Sequence, residues 1–181
     1  MKKLLIATCL LISAGAMKAQ QTSPQQAIKL NPLSLFLLTG NVSYERAVNQ
    51  NQSVQLGAYY SGVSIGGLKY SGFGFTPEYR FYIGGKREAL NGVYAAPFLR
   101  YQSFSLKDKA TADEAKFNSF GGGATLGWEK TWGSGFVLDL FVGPSYNKGR
   151  FKNEADEDAF DISSGISGFG VRTGIAIGFA L

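Results

Sequence analysis

"GVRTGIAIGFAL", residues 170–181, closes the chain, and its alternation decides the fold. The odd positions carry Val171, Thr173, Ile175, Ile177, Phe179 and Leu181, and the even positions carry Gly170, Arg172, Gly174, Ala176, Gly178 and Ala180. A repeat of two is the repeat of a β-strand, whose side chains point alternately to opposite faces. One face of this strand is bulky and apolar, whereas the other is glycine and alanine broken by a single arginine. A water-facing strand surface is normally crowded with Lys, Glu, Thr and Gln. Small residues suit a cramped interior.

The same alternation recurs upstream, and eight segments read as strands: Ile28–Leu38, Val42–Val48, Ser53–Ser64, Leu68–Ile83, Gly92–Leu106, Phe117–Trp132, Phe136–Asn147 and Gly168–Leu181. In the fourth, Phe73, Phe75, Pro77, Tyr79, Phe81 and Ile83 oppose Gly72, Gly74, Thr76, Glu78, Arg80 and Tyr82. The fifth, sixth and seventh follow the same rule. In the first the apolar phase shifts near Asn31 and Pro32, which predicts a bulge there. Connections after strands two, four and six ("NQNQ", "GGKREALN", "GSG") are short to moderate, whereas those after five and seven ("KDKATADEAK", "KGRFKNEADEDAFDISS") are longer and polar. With both chain ends on one side, short turns fall there and long loops opposite, as in outer-membrane barrels.

The composition agrees with sheet: 45% hydrophobic, 14% aromatic, 17% charged and 24 glycines in 181 residues. The start, "MKKLLIATCLLISAGAMKAQ", has Lys2 and Lys3, an apolar run from Leu4 to about Ala16, then small residues, the pattern of a secretory signal peptide. We expect residues 1–19 to be this leader, cleaved after Ala19 or alternatively after Ala16, and residues 20–181 to be the barrel domain. Cys9, the one cysteine, lies in the leader, so the mature chain has no thiol chemistry. Loss of Lys2, Lys3 and Lys18 takes the formal charge from +5 to +2, which removes any argument for nucleic acid.

Periodicity does not say which face is inside. A soluble secreted lipocalin-like barrel, apolar within and binding an apolar ligand, competes with a transmembrane barrel of the opposite sense. The faces favour the second, because the heavy residues overfill an eight-stranded lumen but cover a lipid-facing band well. The expected fold is therefore all-β, an eight-stranded antiparallel up-and-down transmembrane β-barrel; a narrow pore is a third reading. Lys29, Glu45, Glu78, Arg80, Arg100, Glu129, Asp139 and Arg172 fall on the inward face, four cations against four anions. We expect a structural interior charge network plugging the lumen, since unpaired charge in a narrow interior is costly. Arg46 and Lys130 fall on the apolar face near the short-turn end, where they snorkel to headgroups. Two aromatic girdles are expected, one of Tyr79, Phe81, Tyr94, Trp128, Trp132, Phe136 and Phe179 and one of Tyr70, Phe73, Tyr101, Phe120, Tyr146 and Phe169.

Chemistry-bearing motifs are scarce. The chain has no histidine, so the usual Ser–His hydrolytic pair and the usual transition-metal ligands are missing, and neither enzyme activity nor a cofactor is expected. The acidic run Glu154, Asp156, Glu157, Asp158 and Asp161 lacks the glycine and spacing of a calcium loop and reads as a solvated loop. Lys148, Arg150 and Lys152 below it are candidates to meet lipid phosphates.

The whole mature length resembles the small eight-stranded outer-membrane barrels of the OmpA/OmpX type. The segment "AIKLNPLSLFLLTGNVSYERAV" is similar to the opening of a Gram-negative barrel family known as a domain of unknown function. The end "RTGIAIGF", with Arg172, Gly174, Ile177 and Phe179, is similar to the C-terminal signal read by the barrel-assembly machinery. The resemblance implies a monomer in the outer membrane of a Gram-negative bacterium, with outer-membrane lipid and lipopolysaccharide as surroundings. It implies no activity, because fold does not fix function. The function expected is a non-enzymatic contribution to envelope structure or surface interaction through the long loops.

Overall fold

Eight apolar–polar strands with unpaired edges must find partners, and a sheet closed on itself leaves no edge. The computed structural model describes residues 24–36, 38–65, 68–108, 114–152 and 168–181. Its strands are β1 (Gln26–Leu30), β2 (Thr39–Asn49), β3 (Gln52–Ile65), β4 (Leu68–Glu88), β5 (Asn91–Asp108), β6 (Glu114–Thr131), β7 (Phe136–Lys152) and β8 (Gly168–Ala180). They form a closed barrel in sequence order, every neighbour antiparallel, with β1 closing on β8 from Ala27↔Ala180 to Leu30↔Ile177. This is the up-and-down topology expected. The expected leader, and the acidic run of the last long connection, lie outside the described residues. Among the described residues no helix is long and apolar enough to cross a membrane, a fact about helices and not about strands.

The alternation behaves as the sequence predicts. Phe73, Phe75, Leu99, Leu126, Val142, Ile175 and Ile177 are exposed on the outer surface, while Thr76, Glu78, Arg80, Thr125, Glu129 and Asp139 are buried in the lumen. Two girdle assignments fail. Tyr94 is fully buried in the lumen, and Tyr70 lines its upper part. Both occupy even positions of β5 and β4, the positions that carry the inward residues, so parity overrides aromatic identity.

The first expected strand is also corrected. Ile28–Leu38 is not a bulged strand; the chain leaves the sheet at Asn31 and winds into a helical turn, α1 (Pro32–Phe36). Asn31 acts as the N-cap, its Oδ1 accepting the N–H of Leu33 at 3.0 Å and of Ser34 at 3.3 Å, and Pro32 takes the first helical position, where a missing N–H costs nothing. Ser34 Oγ donates back to the Asn31 carbonyl at 2.7 Å. Because β1 is 5 residues long and β4 is 21, the wall is tall on one side and low on the other. Above Leu30, no described strand bridges β8 from Gly168 to Ala176 to the start of β2, and α1 packs in that notch with Leu33, Leu35 and Phe36 exposed.

At the opposite end the β4–β5 turn folds into the mouth. Leu90, in the left-handed region at φ 63°, is almost fully buried with Ala89 against Ala27, Tyr82, Tyr94, Ala96 and Val137. The turn is pinned there: Ala89 N–H donates to the Gln50 carbonyl at 2.7 Å, and Thr131 Oγ1 donates to the Leu90 carbonyl at 2.7 Å. Non-glycine residues enter this region only where their surroundings over-determine it. Here an apolar cork forms the floor of the lumen.

Candidate functional site

Immediately above the cork lies a buried block of charge. Lys29 on β1, wholly buried, donates from Nζ to Glu45 Oε2, to Glu129 Oε1 at 2.9 Å and to Asp139 Oδ2 at 2.9 Å. Arg80 on β4, equally buried, reaches the same three carboxylates through Nη1, at 2.9 Å to Glu45, 3.1 Å to Glu129 and 2.8 Å to Asp139. Its Nε donates to Glu78 Oε1 at 2.7 Å, and Glu78 Oε2 accepts from Arg172 at 2.5 Å. The Tyr82 hydroxyl stands between Glu45 Oε1, at 2.7 Å, and Glu129 Oε2; Tyr94 donates to Asp139 Oδ1 at 2.7 Å, and Ser53 to Glu45. The Arg80 guanidinium also lies 4.2 Å from the centre of the Tyr94 ring. All eight strands are thus cross-linked through the lumen, six by ion pairs and β3 and β5 by the Ser53 and Tyr94 hydroxyls. Such a block holds only because nearly every charge has several partners, which offsets the several kcal/mol that desolvating each ion costs.

Seven of the eight charged residues expected inside belong to this one network. Arg100 does not. Among the described residues it has no carboxylate partner; its guanidinium lies 5.6 Å from the Phe98 ring centre, and its Nε is buried without a hydrogen bond. The four C-terminal positions divide by parity: Arg172 and Gly174 face the lumen, Ile177 and Phe179 the outer surface. Lys148 is exposed at the upper end of β7. Arg46 and Lys130 lie on the outer surface at the lower end, Lys130 donating to Asn91 Oδ1 at 3.3 Å. The hydroxyl donors Tyr82, Tyr94 and Ser53 were not anticipated, although all three sit at inward positions.

Glu45, Glu129 and Asp139 bring carboxylate oxygens within 4.8 Å of one another, the spacing of a metal site. Lys29 Nζ and the Arg80 guanidinium already occupy the space such an ion needs and neutralise the charge that would draw it. The residues present do not fit a metal.

Above the block the lumen widens into a chamber of about 430 Å³. Arg172, stacked between the rings of Phe98 (4.4 Å) and Phe141 (4.7 Å), lines its base, and Arg100, Gln55 and Gln102 line its wall. Gln102 Nε2 donates to the Tyr59 hydroxyl at 2.7 Å, and Tyr70 stacks on Phe104 with centres 5.6 Å apart. Gln55, 6% exposed, has an Oε1 without a partner.

No curated protein and no solved structure matches this chain. A family model, described as protein of unknown function (DUF3575), matches residues 5–162, and the chain belongs to that family.

Proposed function

We propose that the protein is an integral outer-membrane barrel of the OmpA/OmpX type in a Gram-negative bacterium, a monomer without enzymatic activity. It contributes to envelope structure or surface interaction through its longer connections, and its lumen is closed to ions. One observation carries this reading: the outer surface is built of large apolar side chains on every long strand, while the lumen holds a desolvated ion-pair block. A lipocalin-like barrel binds its apolar ligand in an apolar cavity, and burying Lys29 and Arg80 there has no purpose. An outer band of Leu, Ile, Val and Phe in water is an aggregation hazard; against hydrocarbon it is the ordinary covering of a spanning barrel. The C-terminal strand, with outward Ile177 and Phe179, supports recognition by the barrel-assembly machinery.

Spin labels at Phe75, Leu140 and Ile175 test the sidedness. In lipid vesicles all three are expected to be reached by lipid-dissolved oxygen and shielded from a water-soluble nickel chelate. Shielding from the lipid-phase quencher, or recovery of the native protein in a detergent-free periplasmic extract, overturns the reading in favour of the soluble barrel. Planar-bilayer recording tests closure: large stable conductance contradicts it.

A further inference from the structure

The chamber above the ion-pair block is built unlike the block beneath it. Below, every charged side chain pairs with another, although Arg80 Nη2 is buried without a hydrogen bond; above, among the described residues, two polar groups on the chamber wall have none. Arg100 is the inward cation that the network leaves out, and its Nε–H is buried and unbonded. Gln55 Oε1 is an acceptor in the same condition, on a side chain more than nine-tenths buried. Both line the same cavity of about 430 Å³, within the range of small-molecule sites. A buried donor of a guanidinium and a buried amide acceptor left unpaired are each destabilising, and native interiors rarely keep them without a reason.

We propose that this chamber binds a small polyhydroxylated anion, a sugar acid or sugar phosphate. The Arg100 guanidinium takes the carboxylate or phosphate, and the Gln55 amide, turned into the chamber, meets a ligand hydroxyl. The planar guanidinium fork suits either oxyanion, and a cation with no carboxylate of its own is free to receive one. Arg172 does not compete for this role, because Glu78 already neutralises it. The aromatic wall of Tyr59, Tyr70 and Phe104 offers flat apolar faces to a ring's C–H surface, and Gln102 and Asn41 offer amides to its hydroxyls. Thr39, Asn31 and Thr173 line the chamber from the notch between β2 and β8, so two routes lead in. The ligand arrives free through the upper mouth, or as the head of an amphiphile passing through the notch past α1. The inference stands on the chamber; only the assay medium rests on the membrane reading, and should the barrel stay out of nanodiscs that reading fails while the same titrations in buffer still decide the chamber.

The test uses the full mature barrel, its fold verified by heat-modifiable mobility, in phosphatidylcholine nanodiscs. Glucose 6-phosphate and galacturonate are titrated by calorimetry and by thermal shift, with glucose as the uncharged control. Saturable binding of either anion, with glucose much weaker, is expected, because ligand bound to the native state raises its unfolding temperature. Arg100→Gln should weaken the anion about tenfold or more, the usual effect of losing a charge-assisted bond. Gln55→Leu should weaken both sugars while retaining the fold, since it removes an unpaired buried acceptor. Nanodiscs containing phosphatidylinositol separate the routes: stabilisation by that lipid, with no response to the soluble sugars, assigns the site to a headgroup. No response to any of the three anionic probes, or equal affinity in wild type and Arg100→Gln, overturns the proposal. Should Arg100→Gln fail to fold, the wild-type titration and Gln55→Leu still decide it.

Discussion

Lys29→Met is the substitution that tests the ion-pair block most directly. Lys29 is the cation that β1 contributes, and three carboxylates from β2, β6 and β7 converge on it. Without it, the only cationic partner left to Glu45, Glu129 and Asp139 among the described residues is Nη1 of Arg80, at 2.8 to 3.1 Å, in a space closed to solvent. Removing one partner from a buried ion pair costs about 3–5 kcal/mol, because the survivor stays desolvated and unneutralised. Methionine restores most of the apolar stem, so little of that loss is lost packing. The network carries three cations against four anions (Lys29, Arg80 and Arg172 against Glu45, Glu78, Glu129 and Asp139), so loss of a cation worsens an existing imbalance. Loss of an anion relieves it. Glu129→Gln alone should therefore cost less than Lys29→Met, and the double variant should recover about 1–3 kcal/mol of the single loss, the size of coupling expected between contacting groups.

The measurement is urea unfolding of the folded barrel in detergent, followed by the fluorescence of Trp128 and Trp132, with free energies taken from midpoint and slope. Amide exchange gives a second readout. Since β1 is held to β8 by four residue pairs, opening should appear first along Ala27–Leu30 and Ile177–Ala180 and spare the long β4–β5 hairpin. A Lys29→Met barrel within about 0.5 kcal/mol of wild type, the scatter of ordinary surface substitutions, refutes the reasoning. So does a double variant whose loss is the plain sum of the two singles.

Three other outcomes follow from the same geometry. In Gly127→Ala the new Cβ stands 2.3 Å from Cζ of Tyr94 and displaces the ring that bonds Asp139, costing about 1–3 kcal/mol in the urea assay, whereas Gly133→Ala meets nothing within 4 Å and should change stability by less than about 0.5 kcal/mol. Asn31→Ala removes the cap of α1 and should cost about 1 kcal/mol, with faster amide exchange at Leu33 and Ser34 as its local sign; unchanged exchange there would mean the cap is idle. Leu140→Arg, on the outer surface midway along β7, should cost about 2–4 kcal/mol in a lipid bilayer, and a neutral result speaks against lipid on that face.

The strands and their two faces were legible because period two is a local property: each residue's neighbours in sequence reveal its side of the sheet. The charged residues were legible as a group for the same reason. Their partners were not, because Lys29 meets Asp139 across 110 positions, a separation that only closure of the barrel collapses. Arg100 differs from the other seven in nothing that sequence displays; it misses the network by standing one inward position above Phe98, at the level of the chamber. The turn of helix at Pro32 has a local signal that is ambiguous, since asparagine before proline is a helix start as well as a strand interruption. Tyr94 has the chemistry of a membrane-interface residue, but its even position in β5 puts it in the lumen.

What sequence hid most completely is the reason for the glycines. Read alone, they thin the lumen wall. In the barrel, a glycine faces an inward ring on the next strand: Gly127 beneath Tyr94, Gly174 beneath Phe141, Gly72 beneath Phe104 and Gly74 beneath Tyr59, each leaving less than 3 Å for a Cβ. Rings laid over glycines line the lumen with aromatic surface without filling it, and the hydroxyl at the tip of one of them, Tyr94, is placed to bond Asp139. On β8 the small residues act twice. At Gly178 a Cβ would stand 2.0 Å from the Ile28 carbonyl, so its absence admits the β1 backbone and with it Lys29. At Gly174 the Phe141 ring lies flat, and Arg172 stacks on that ring to reach Glu78. A strand of larger inward residues would close the barrel equally well by its hydrogen bonds and leave no room for the charges that lock it. The glycine and alanine face of residues 170–181 is therefore the mould of the ion-pair block, and the single arginine in it is one of the block's own members.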